Sequence, residues 1–152
     1  MSSRLIAGLL FLAACSSATQ RTPPLPSGEL TGAAAPQLAV EQFLRAVRAK
    51  DLQAMGTVFG TTRGPARETM ERTELEKREV ILACYFNHDS YRLLGERAGK
   101  AGHRDVTVQL KRGTLDRVTT FYVVQGPGGR WYVDNMDIAA VRDFCGNGGP
   151  AN

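Results

Sequence analysis

The sequence predicts an α+β domain, with N-terminal helices packed on one face of a curved, cone-like antiparallel sheet of about four strands. Three observations predict it. Apolar residues recur with a helical period in the first half of the chain. From Ser90 the period changes to two. The links between the later segments are too short for anything but hairpins.

The first helix is expected over Gln37 to Lys50. Val40, Phe43, Leu44 and Val47 fall at i, i+3, i+4 and i+7, one stripe of a helix, and Pro36 suits its first turn. Asp51 reads as the cap of a second, short helix whose stripe is Leu52, Met55, Val58 and Phe59. Gly60 to Pro65 is a loop. It lacks the lysine and the spacing of a phosphate-binding loop. Thr73 and Glu76 form a Thr-x-x-Glu capping box, which opens a third helix from Glu74 to Phe86. Its second half, Val80 to Phe86, is apolar on every side and is expected to be buried. Asn87, His88 and Asp89 make a turn.

Four strands follow: Tyr91 to Glu96, Arg104 to Lys111, Arg117 to Gln125 and Arg130 to Ile138. In the second, Val106, Val108 and Leu110 alternate with Thr107, Gln109 and Lys111, the pattern of a half-buried strand. The third, Val118 to Val124, is apolar or β-branched on both faces and belongs inside the sheet.

Ahead of this domain the chain reads Arg4, an apolar run Leu5 to Leu12, then Ala13-Ala14-Cys15. This resembles a bacterial lipoprotein signal sequence. The resemblance implies that residues 1–14 are removed, and that Cys15 becomes the diacylglyceryl-modified and acylated first residue. A spanning helix needs ~20 apolar residues, about twice what Leu5 to Ala14 offers. The alternative is a plain secretory signal cut elsewhere, with Cys15 incidental. Either way the chain is exported, where disulfides are permitted. Ser16 in place of an aspartate implies the outer membrane, if the source has one. Residues 15–36, rich in proline and poor in large apolar groups, read as a disordered tether; residues 146–152 read as a disordered tail.

With Cys15 lipidated, Cys84 and Cys145 remain. An even remainder in an exported domain points to a disulfide, worth roughly 4 kcal/mol for a loop of this length. Two free thiols are the alternative. Neither His88 nor His103 is at metal-ligand spacing with a cysteine, and no cofactor is implied. The formal net charge is +4, with basic and acidic residues interleaved in no single stripe. That pattern and export argue against a nucleic-acid partner.

The domain over residues 37–145 also resembles the nuclear transport factor 2-like (cystatin-like cone) superfamily. The resemblance lies in Val40-Glu41-Gln42-Phe43-Leu44-Arg45-Ala46-Val47, in Lys50-Asp51-Leu52-Gln53-Ala54-Met55, and in a closing strand, Gly129-Arg130-Trp131-Tyr132-Val133-Asp134. It implies a sheet curled around a helix, with Tyr85, Phe121, Trp131 and Met136 as lining of the cone. Some members are isomerases, dehydratases or cyclases; many are non-enzymatic modules. A cone isomerase needs a carboxylate base and a tyrosine or a protonated acid in an apolar pocket. Tyr85, Tyr91, Tyr122, Tyr132, Asp134 and Asp137 are the raw materials, and they match no catalytic pattern of that family. His88 and His103 fall in turns, where a solvated role is the plain reading.

The sequence thus points to an envelope lipoprotein held at the membrane through Cys15. It is expected to be non-catalytic, to take a small apolar ligand or a protein partner, itself included, and to need no cofactor. The competing expectation is a small cone enzyme. A desolvated carboxylate facing a tyrosine in an apolar cavity would favour the enzyme. A cavity filled by its own side chains would favour interaction, and a large exposed apolar sheet face would favour a dimer.

Overall fold

The computed structural model describes residues 30–146. Cys15, the signal segment, most of the tether and the tail beyond Gly146 lie outside the described residues. The fold is α+β: helices precede a four-stranded antiparallel sheet that does not close into a barrel.

Helix α1 (Pro36–Ala49) forms as expected. Pro36 occupies its first turn, and Val40, Phe43, Leu44 and Val47 are buried. Lys50 closes it in the left-handed region, φ 55°, with its N–H returned to Ala46 and Val47. Asp51 caps α2 (Leu52–Val58) by accepting from the Ala54 N–H at 2.9 Å.

The expected loop at Gly60 to Pro65 carries more structure. Gly60–Thr61 (β1) and Gly64–Pro65 (β2) pair as a minimal hairpin, followed by one turn of helix, α3 (Ala66–Thr69). A Cβ at Gly60 would lie 2.4 Å from the Gly64 carbonyl oxygen, so the hairpin requires glycine there.

Helix α4 (Arg72–Tyr85) starts earlier than expected, and the expected capping box does not form. Glu71 is the cap: its carboxylate accepts from the Thr73 and Glu74 N–H groups at 2.9 Å each. These bonds hold its pKa below the ordinary value. Glu76 is turned instead to Arg72, at 2.9 Å. The buried side of α4 also differs. Val80 and Ile81 are more than half exposed, while Leu75, Glu79 and Leu82 are buried, with Phe86 just beyond. Residues 75, 79, 82 and 86 follow the helical period, so the inward stripe contains a glutamate.

The sheet is a plain meander, in order β3 (Ser90–Ala98), β4 (Arg104–Arg112), β5 (Leu115–Gln125) and β6 (Trp131–Met136). β5 lies inside the sheet, as its composition predicted. β6 stops at Met136, short of Ile138, and single 3-10 turns flank it. The tether ends sooner than expected. Ala33, wholly buried, exchanges both backbone bonds with Trp131 at 2.8 and 2.9 Å, and Gly32 donates to Thr57 O at 2.8 Å. Arg130 clamps the carbonyls of Thr31 and Gly32 from the side. This stretch thus covers the outer edge of β6.

Cys84 and Cys145 are bonded, with Cα atoms 5.1 Å apart. The bond ties the last helix, α5 (Arg142–Gly146), to α4. Phe144 of α5 is buried, and Arg112 and Arg117 reach α5 at the Phe144 carbonyl and the Asp143 carboxylate.

Candidate functional site

The interior under the sheet is closed by three rings, one each from α1, the end of α4 and β5. Phe43 meets Phe86 at 6.3 Å and Phe121 at 5.9 Å, both edge-on; Phe86 and Phe121 are 5.1 Å apart. All three are wholly buried, together with Val106, Val108, Leu110, Val123 and Val133 from the strands. Of the four residues expected to line a cone, Phe121 and Met136 are core residues, opposite each other on β5 and β6. Tyr85 and Trp131 sit half-buried at the margin of the core. Phe121 belongs to the packed core itself, where its ring also meets those of Phe43 and Phe86.

The acids, tyrosines and histidines singled out by the sequence mostly have structural employment. His103 Nε2 lies 2.7 Å from Asp134 Oδ2, and Nδ1 is 3.0 Å from the Lys100 carbonyl. Both nitrogens can donate only in the imidazolium, and the Asp134 carboxylate holds the pKa of His103 above its ordinary value. A ring with both nitrogens engaged has none left to take a proton from a substrate. It fastens the β3–β4 turn to β6, beside a polar groove of about 460 Å³ that Arg97, Asp105 and Tyr122 also line. His88 is buried, with Nδ1 2.8 Å from the Phe86 carbonyl and its edge against Tyr91. Burial holds its pKa below the ordinary value. Tyr132 shares a hydrogen bond with Thr31, and the Asp137 carbonyl accepts from Thr119.

The most unusual side chain is one the sequence reading passed over. Glu79 is 1% exposed, and its Oε1 has no hydrogen-bond partner. Burial, followed by the charge of Glu76, pushes its pKa up to about 7. It forms part of the wall of a groove of about 380 Å³ between α2, α3 and α4, with Leu52, Gln53, Gly56, Arg67, Glu68, Arg72, Leu75 and Glu76. Gly56 makes the room: a Cβ there would lie 2.9 Å from Glu79 Oε1. A glycine inside a helix costs about 1 kcal/mol against alanine, so its use here goes with the carboxyl it accommodates. The signal was available in the sequence. Glu79 stands in register with Leu75, Leu82 and Phe86, and the apolar run Val80-Ile81 beside it drew attention to the wrong face.

A second groove, of about 380 Å³, runs between α4 and β6. Phe59, Ile81, Leu82, Met136 and Ile138 line it, with Arg78, Asp134 and Asn135 at its border. Ile81, more than half exposed, is the outermost apolar side chain of α4 in this lining. The outer sheet face is polar by comparison: Arg92 donates to Gln109 at 2.9 Å, and Gln109 donates to Asp116 at 2.8 Å.

Comparison with known proteins gave no match: no family model, curated protein or solved structure aligned with the chain.

Proposed function

We propose that the chain is a lipid-anchored envelope protein whose cone-like domain is a non-catalytic protein-interaction module. The observation that carries the reading is the buried interior, where Phe43, Phe86 and Phe121 pack ring against ring with centroids 5.1 to 6.3 Å apart. Glu79, whose pKa burial raises, lies in a groove whose lining has no tyrosine, so the pairing a cone isomerase needs is missing from that groove. The polar outer face of the sheet speaks against a dimer formed through that face. The contact surface is the groove of Ile81, Met136 and Ile138, where apolar side chains of a protein partner replace water. Cys15 holds the domain at the membrane, and the residues between it and Thr31 set its reach.

Two experiments test the two halves. Cys15→Ala should move the protein from the membrane to the soluble fraction; unchanged membrane association would end the anchor reading. A photo-crosslinking residue at Ile81, in cells with Cys15 intact, should join one discrete protein, while the same residue at Thr107 on the outer sheet face gives none. Equal labelling at both positions, or none at either, would contradict the interaction reading.

A further inference from the structure

We propose that the groove between α2, α3 and α4 binds a small organic cation, an ammonium or guanidinium group on a short alkyl chain, with Glu79 as its counter-ion. The inference is independent of the interaction reading and concerns a different surface.

Without Glu79 the charges of the lining balance, two acids against two arginines; with it they do not. The lining carries Glu68, Glu76 and Glu79 against Arg67 and Arg72. Arg72 is held by Glu76 at 2.9 Å. α3 contributes Arg67 and Glu68, α4 contributes Arg72 and Glu76, and α2 contributes no charge, only Gln53. Ionised Glu79 is therefore the surplus anion. Its Oε1 is covered and has no donor, which is unfavourable for a neutral group and more so for a charged one. A ligand N–H carrying positive charge supplies both the missing donor and the missing charge, and charge-assisted bonds of this kind are the strong ones. Leu52 and Leu75 in the wall give an alkyl chain an apolar surface.

Proton and ligand compete for the same carboxylate. Binding should therefore tighten with pH and release a proton near neutrality: Glu79–COOH plus the cation gives the Glu79 carboxylate–cation pair and H⁺. With the carboxyl titrating at about 7, roughly a hundredfold separates the apparent affinity at about pH 8 from that at about pH 5.

The test is calorimetric titration of the full chain in detergent with n-butylguanidinium, beside a capped Gly-Arg-Gly peptide. Saturable binding of the free guanidinium alone points to a small metabolite, and binding of both points to an arginine side chain as well. Either supports the site, provided that Glu79→Gln lowers affinity at least tenfold at about pH 8 and removes the pH dependence. A second readout needs no variant: carbon NMR of the Glu79 carboxyl should show its midpoint fall when n-butylguanidinium is added. No binding at about pH 8, equal binding to Glu79→Gln, or an unmoved midpoint would each overturn the proposal.

Discussion

Glu79 shows how a single residue is used against its chemistry. A carboxyl is placed on the buried stripe of α4, and the fold accommodates it by keeping a proton on it up to about pH 7. The sign of the resulting pH dependence follows. The folded pKa is raised from 4.5, so the stability tied to the protonated form is complete below 4.5 and is lost as pH rises through about 7. With a discount for water near the groove, the loss is roughly 2 kcal/mol. Glu79→Gln keeps the shape and cannot ionise. It should match the native stability near pH 4.5 and exceed it by roughly 2 kcal/mol at about pH 8, measured by chemical denaturation. A variant destabilised at about pH 8 would show that the ionised carboxylate has a partner in the fold. His103 works in the same direction. Its raised pKa means that the Asp134 contact stabilises the fold below the ordinary histidine value and fades as pH climbs through the raised one.

At the scale of elements, most of the plan was legible because it is written in periodicity. The stripe Val40, Phe43, Leu44 and Val47 gave α1, Asp51 gave the α2 cap, and the alternation at Val106, Val108 and Leu110 gave β4. The α4 start was misread for a physical reason. Thr73 and Glu76 have the spacing of a capping box, and Glu71, two residues earlier, has a longer arm that reaches two N–H groups at once. Glu71→Ala should lower the unfolding midpoint by more than Thr73→Ala does; thermal unfolding of both variants checks the order. If Thr73→Ala is the worse of the two, the cap is assigned wrongly. Other parts left no trace in the pattern. Gly32 and Ala33 dock through backbone bonds to Thr57 and Trp131, and backbone bonds have no side-chain signature. The Gly60–Pro65 hairpin is likewise a backbone device, made possible by two glycines.

For the whole molecule, the sequence placed the covalent tie correctly: Cys84 and Cys145 join α4 to the C-terminal helix, which the Arg112 and Arg117 contacts also hold. It located the core as well, through the apolar faces of α1, β4 and β5. What it could not settle was whether that core is hollow. Composition and period specify which faces turn inward; the volume left between them depends on how particular rings meet. Phe43, Phe86 and Phe121 are far apart in sequence, and only their convergence closes the interior. The difference bears on the proposed function, because a hollow interior invites ligand binding or catalysis and a filled one leaves the surface to act.

The most direct test is therefore uptake of a small apolar probe. Oxidised residues 16–152 would be titrated with benzene, following the ring and methyl resonances of Phe43, Phe121 and Val106 by NMR. The native chain should show no saturable shift. Phe121→Ala, which removes one ring at a cost of about 3–5 kcal/mol, should open a dry cavity and bind the probe saturably. Saturable benzene binding by the native chain would mean that the interior is open, and would return the domain to ligand binding or cone chemistry.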